Sequence, residues 1–195
     1  MAREIEIEFK NLLTQDEFDK LKSYFHLKDS QFHSQTNYYF ETPSFEIKNL
    51  GGALRIRQKS QSFTLTLKLK QAIGHLEIHQ SLNEIEAKNM IKSSTLPDGE
   101  VKQYLSAENI DLTKLDLIGE LKTNRVEIPY HDGLLVLDHS TYLNNEDFEL
   151  EYEVKDEIIG EEHFLTLLKM QGIPVRKTLN KIKRFFNAKQ KLIGE

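Results

Sequence analysis

The chain has no cysteine among its 195 residues, which excludes a disulfide scaffold, a thiolate zinc site and thiol catalysis. It lacks any apolar run near the ~18 residues that a membrane-spanning helix requires, and its charged start does not read as a secretory signal. It also lacks an excess of positive charge. Its 31 acidic and 26 basic residues leave a formal net charge of -5, whereas non-specific binding to DNA or to an anionic membrane needs a basic footprint. There is no internal repeat, no low-complexity tract and no linker long enough to divide the chain. What remains is 38% apolar and 29% charged, an ordinary composition that predicts one domain over residues 1–195 in a cytoplasmic setting.

The first periodic signal is REIEIEFK, Arg3 to Lys10. Ile5, Ile7 and Phe9 fall on one face and Glu4, Glu6, Glu8 and Lys10 on the other, the alternation of a β-strand. Thr14 and Glu17 have capping-box spacing and predict a helix to about Phe25. Strands follow at Gln31–Glu41, Ala53–Ser60, Ser62–Lys70 and from Gly74 to Leu82, with Gly51-Gly52 as a turn. Asn83–Ser94 and Glu100–Glu108 read as helices around the Pro97-Asp98-Gly99 turn. Strand patterning returns at Leu117–Tyr130, Gly133–His139 and Asp147–Lys155. An amphipathic helix over Glu161–Gln171 and a basic helix from Lys177 to about Lys191 close the chain. About eight strands with hairpin-length connections predict an α+β fold, an eight-stranded antiparallel closed barrel with helices packed outside.

The charges are sorted by strand. Arg55 and Arg57 share one face, Lys68 and Lys70 another, Arg125 and Glu127 a third, and Glu149, Glu151 and Glu153 line the last strand. A merely solvated sheet face would intersperse signs, because like charges directly opposite one another destabilise a sheet. The helical stripes at 14–25 and 161–171 need an apolar sheet face, so Ile5, Ile7, Leu54, Ile56 and Leu67 should lie under helices and the charges inside. Several Arg and Lys side chains in so narrow a space call for a polyanion such as a polyphosphate. Glutamates beside it call for Mg²⁺ or Mn²⁺, which prefer carboxylate and phosphate oxygens.

These residues resemble the CYTH superfamily, the triphosphate tunnel metalloenzymes. The resemblance rests on ExExK at Glu6, Glu8 and Lys10, YFET at Tyr39–Thr42, RxR at Arg55 and Arg57, and TLK at Thr66–Lys68. It continues through Arg125, Asp138, the late ExE at Glu151 and Glu153, and NKIKR at Asn180–Arg184. It implies a divalent-metal-dependent enzyme acting on a triphosphate: inorganic triphosphate foremost, or thiamine triphosphate or ATP. Glu6, Glu8, Lys10 and Glu153 are then the expected catalytic residues. Glu6, Glu8, Asp138, Glu151 and Glu153 are the expected metal set, and Lys10, Arg55, Arg57, Lys68, Arg125, Lys181 and Arg184 the expected triphosphate set. The expected partner is a small-molecule triphosphate bound to a monomer or homodimer, with no nucleic acid and no membrane.

The sequence departs from the family pattern in two places. His79 stands where the fifth strand often carries a second acid, which puts a second metal in doubt. Thr123 stands where the sixth strand often carries a base. No HFRD-like segment of the class IV adenylyl cyclases is present. Cyclisation of ATP and a non-catalytic nucleotide- or polyphosphate-binding role stay open beside hydrolysis. His26, His33, His75, His131, His139 and His163 show no ligand spacing and read as surface or loop residues.

Overall fold

The computed structural model describes residues 2–193. Eight strands hydrogen-bond in the order β1-β5-β4-β3-β2-β6-β7-β8, a closed antiparallel barrel. They are β1 (Ala2–Leu13), β2 (His33–Glu41), β3 (Gly52–Lys59), β4 (Ser62–Lys70), β5 (His75–Leu82), β6 (Asp116–Tyr130), β7 (Gly133–Tyr142) and β8 (Asn145–Val154). Among the described residues six α-helices accompany them: α1 (Gln15–Tyr24), α2 (Glu46–Asn49), α3 (Glu84–Ser93), α4 (Glu100–Ala107), α5 (Glu157–Met170) and α6 (Lys181–Ile193). No helix among the described residues is long and apolar enough to cross a membrane. The chain forms two compact units, one of Gln35–Leu121 with the residues up to Ile5, the other of Glu6–Ser34 with the chain from Lys122.

In the first unit β3 and β4 form a hairpin in which Lys59 pairs with Ser62, and Ser60 turns the chain at φ 55°. Leu54, Ile56, Leu65, Leu67 and Ile78 occupy alternate strand positions and are wholly buried against Met90 of α3 and Val101 and Leu105 of α4. Each such side chain contributes roughly 1.5–3 kcal/mol by leaving water. Asn83 caps α3 through a reciprocal pair with Glu86. The short helix α2, which the sequence pattern does not predict, leads into the expected turn, where Gly51 has φ 71°. Its N-cap is Phe45, which has no capping oxygen. The buried Glu41 carboxylate does that work instead, accepting from the amides of Ile47 (3.0 Å) and Lys48 (2.9 Å).

In the second unit the Thr14–Glu17 capping box opens α1 as its spacing predicts. Phe18 and Leu21 of α1 and Phe164, Leu167 and Leu168 of α5 cover Leu135, Leu137, Leu150 and Tyr152. Helix α5 begins earlier than the periodicity suggests, because Asp156 caps it by accepting from the Ile159 amide at 3.0 Å. It lies close to β8: a Cβ on Gly160 would sit 2.6 Å from Val154 Cγ2. Helix α6 starts later than expected. Residues 174–180 stay extended because their polar groups serve β1, with Asn11 Oδ1 accepting from the Arg176 amide at 2.6 Å and Thr178 Oγ1 from the Leu12 amide at 2.8 Å. Arg176 adds a two-pronged contact to Glu17, at 2.7 and 2.8 Å. One strand residue departs from expectation: Ile5 is 57% exposed. The β1–β8 ladder begins only at Ile7, so Ile5 lies past the covered stretch.

Candidate active site: two charged clusters

The face of β1, β6, β7 and β8 opposite α1 and α5 carries the charges of the second unit. Register brings Lys10 opposite Glu151 and Glu8 opposite Glu153, and Arg125 opposite Asp138, which in turn faces Glu149. Lys10 Nζ donates to Glu8 Oε1 at 2.7 Å. Arg125 is buried and forks onto Asp138, Nε to Oδ1 at 2.8 Å and Nη2 to Oδ2 at 2.7 Å, and also reaches Glu151 Oε2 at 2.8 Å. From the start of α6, Lys181 Nζ meets Asp138 Oδ2 and Glu149 Oε2 at 2.8 Å each and Glu151 Oε1 at 2.6 Å. One turn on, Arg184 contacts Asp147 Oδ2 at 2.8 Å and Glu149 Oε2 at 2.5 Å.

This split sorts the acids by charge state. Burial alone would push the Glu151 carboxyl up, but Lys181 and Arg125, with Lys10, hold it well below the usual range. Asp138 is likewise lowered against its burial by Arg125 and Lys181. Glu153 goes the other way. Burial first, then the neighbouring Glu6, Glu151 and Glu8 carboxylates, push it up to about 7, with Arg125 only partly opposing. Crowded carboxylates that hold a proton near neutrality are a place where a cation is electrostatically favoured. The oxygen donors of Glu6, Glu8 and Glu153 suit a hard divalent ion.

In the first unit, Arg57 Nε donates to the buried Asn37 Oδ1 at 3.1 Å. Lys68, opposite Glu77 across β4–β5, meets Glu77 Oε1 at 3.1 Å. Burial would raise the Glu77 carboxyl, but Arg55 foremost, with Lys68 and His79, brings it down to about 2. His79 Nδ1 is 3.0 Å from Thr66 Oγ1, and its Nε2 lies 3.0 Å from Glu4 Oε1 and 3.3 Å from Glu77 Oε2. Thr123 is buried and bonded to Ser140 Oγ at 3.0 Å, so that position offers a hydroxyl where a base is absent.

The expected residues thus fall into two sets. Glu6, Glu8, Lys10, Arg125, Asp138, Glu151, Glu153, Lys181 and Arg184 belong to the second unit, and Arg55, Arg57 and Lys68 to the first. Glu149 is not among the expected site residues, although it shares strand parity with Glu151 and Glu153. Nor is Asn37, whose only signal is an uncharged polar residue at a buried strand position.

A closed eight-stranded barrel whose strands carry sorted acids and bases is the architecture of one class of protein. The chain belongs to the CYTH domain family, whose family model matches residues 4–186. It is 45% identical over 193 residues to a Bacillus subtilis protein named "Putative triphosphatase YjbK", covering 99% of this chain and all of that one. A crystal structure from Bacillus halodurans, described as "a putative adenylate cyclase", is 44% identical with TM-score 0.92, covering 95% of this chain and 100% of that one. A Hippeastrum protein, described as a "putative adenylyl cyclase" with a dominant triphosphatase activity, shares the fold at TM-score 0.80 and 21% identity. The match covers 94% of this chain and 96% of that one.

Proposed function

We propose that this protein hydrolyses a linear triphosphate, inorganic triphosphate foremost, with Mg²⁺ or Mn²⁺, and that both units work as one domain. The observation that carries the reading is the register that sets Glu8 directly opposite Glu153, where burial and the carboxylates of Glu6, Glu151 and Glu8 push Glu153 up to about 7. These three carboxylates would hold the metal. Bound there, a divalent ion supplies charge withdrawal from the phosphate oxygens. Asp138 and Glu151, engaged by Arg125 and Lys181, act on the site by fixing Arg125.

Positioning is the protein's main contribution, as in phosphoryl transfer generally. Arg55, Arg57 and Lys68 of the first unit and Lys10 and Arg125 of the second are phosphate-binding residues, the guanidinium forks matching phosphate oxygens. A carboxylate of the cluster orients the attacking water. The 45% identical relative named "Putative triphosphatase YjbK" supports the reading.

The name of the Bacillus halodurans protein favours a second reading, ATP cyclisation. Product analysis with inorganic triphosphate, ATP and thiamine triphosphate, each with Mg²⁺ or Mn²⁺, separates the two. Phosphate from inorganic triphosphate should far exceed cyclic AMP from ATP. Cyclic AMP as the main product overturns hydrolysis, and no turnover of any substrate leaves a binding module.

A further inference from the structure

We propose that the outward face of α5 is a self-association surface, on which a second copy of this chain docks its own α5 in antiparallel sense. Helix α5 already buries one face, where Phe164, Leu167 and Leu168 pack on the strands beneath. A helix that covers a sheet ordinarily turns a polar face to water. This one does not. Ile158 is 81% exposed, Ile159 51%, Leu165 41% and Met170 57%. Single exposed apolar side chains are ordinary, but several on one helix face form a patch of the kind that a partner covers.

Charge identifies the partner. Ile158, Glu162, Leu165 and Lys169 follow spacings of four, three and four residues, which set them in one stripe along α5. Glu157, Glu161 and Glu162 crowd the first half of the helix, and Lys169 stands in its last turn. Glu162 and Lys169 are two turns apart, about 10 Å along the axis, too far to pair with each other. Neither they nor Glu157 and Glu161 have a side-chain ion pair among the described residues. Other surface elements are arranged differently: Glu84 with Lys88, Asp98 with Lys102 and Asp111 with Lys114 pair three or four residues apart. The helix dipole accounts for an acid in the first turn and a base in the last, but not for Glu162 or for the exposed isoleucines.

A two-fold axis through the middle of α5 satisfies both features. Reversing the second helix brings the Ile158–Ile159 end of one copy to Met170 of the partner subunit, and Glu162 towards Lys169 of the partner subunit. The same contacts then occur twice, as an isologous interface requires. A uniformly acidic surface would meet three glutamates with repulsion, and a uniformly basic one would oppose Lys169. A surface split in the same way carries neither cost, and a second α5 is such a surface. One helix face is small beside the ~800 Å² per partner of a standard interface, so the dimer is weak and depends on concentration in the micromolar range. Because α5 lies on the side of β7 and β8 away from the charged face, docking leaves the candidate site untouched. The inference stands whether or not the protein is a triphosphatase.

The test is sedimentation equilibrium of the full-length chain over a concentration series, with circular dichroism to establish that each variant is folded. Wild type should pass from monomer to dimer, and I158E/L165E should stay monomeric. E162K and K169E should each weaken the dimer about tenfold, because each reversal turns two attractions into two repulsions. E162K/K169E keeps the net charge and exchanges the signs, so opposite charges meet again and most of the association should return. If I158E/L165E is unfolded, the charge-exchange series decides alone. A wild type that is monomeric throughout overturns the proposal. So does a dimer indifferent to I158E/L165E, or a double variant no better than K169E. Flotation with phosphatidylcholine vesicles is the remaining arm: a monomeric wild type that floats with them gives the face to a membrane and overturns the dimer.

Discussion

Glu8 and Glu153 stand directly opposite each other across the β1–β8 ladder, a like-charged pair where a sheet ordinarily favours opposite signs. The next pair along, Lys10 and Glu151, has opposite signs, and Lys10 turns back to Glu8. Glu153 carries the unrelieved part, with its carboxyl at about 7 against a usual 4.5.

That displacement fixes a pH dependence in the absence of metal. Between about 4.5 and 7 the folded protein holds a proton on Glu153 that the unfolded chain releases, so stability falls as pH rises through this window. The E153Q variant escapes the loss. In EDTA it should match wild type near pH 4.5 and exceed it by on the order of 2 kcal/mol at pH 8, with Mn²⁺ narrowing the gap. Urea unfolding at the two pH values decides, and a wild type more stable than E153Q at pH 8 in EDTA refutes the account.

Glu77 titrates with the opposite sign. Its folded carboxyl sits at about 2, so its contribution is full above the unfolded value of about 4.5 and fades as pH falls towards 2. E77Q should therefore cost on the order of 2 kcal/mol at pH 7 and almost nothing near pH 2, the difference reflecting Arg55 and Lys68 deprived of their anion. A pH-independent cost would assign Glu77 to packing alone.

Arg125 and Asp138 share a bidentate contact in a buried setting. Removing one partner of such a pair costs about 3–5 kcal/mol, because the other charge is left buried. R125M and D138N should each approach that loss, and the double variant should be far less destabilised than the sum. A cycle coupling near zero would show that the two charges are balanced by other groups.

What could be read without coordinates was local or periodic. The Thr14–Glu17 cap lies within one turn, and the alternation in β1, β3, β4 and β8 repeats every second residue, so both are carried by neighbours in sequence. The alternation also assigned Arg125 and Asp138 to their strands. Contacts made through space were not legible. Helix α2 is capped by Glu41, five residues before its first turn, and no spacing rule describes that. Lys181 is expected among the phosphate ligands because the resemblance places the NKIKR segment at one end of the barrel. Only the strap from Pro174 to Thr178 along β1 explains why α6 begins where its first residue meets three acids. Glu149 was legible by parity, but parity alone does not tell a metal ligand from a counter-ion.

Asn37 and Arg57 yield the last prediction, which rests on the triphosphatase reading. Asn37 is 2% exposed and its Oδ1 accepts from Arg57 Nε at 3.1 Å, which positions the guanidinium of Arg57. A charge-assisted hydrogen bond contributes roughly 1.5–3 kcal/mol, so R57A should lower kcat/KM for inorganic triphosphate by about ten- to a hundredfold. The loss should be similar with ATP if ATP is accepted, because the fork recognises phosphate and not the base. N37A removes only the support of Arg57 and should cost less, about three- to tenfold. The decisive measurement is the double variant. If Asn37 acts through Arg57, N37A/R57A will be no worse than R57A, since the group being positioned is already gone. Losses that multiply instead would mean that Asn37 meets the substrate itself.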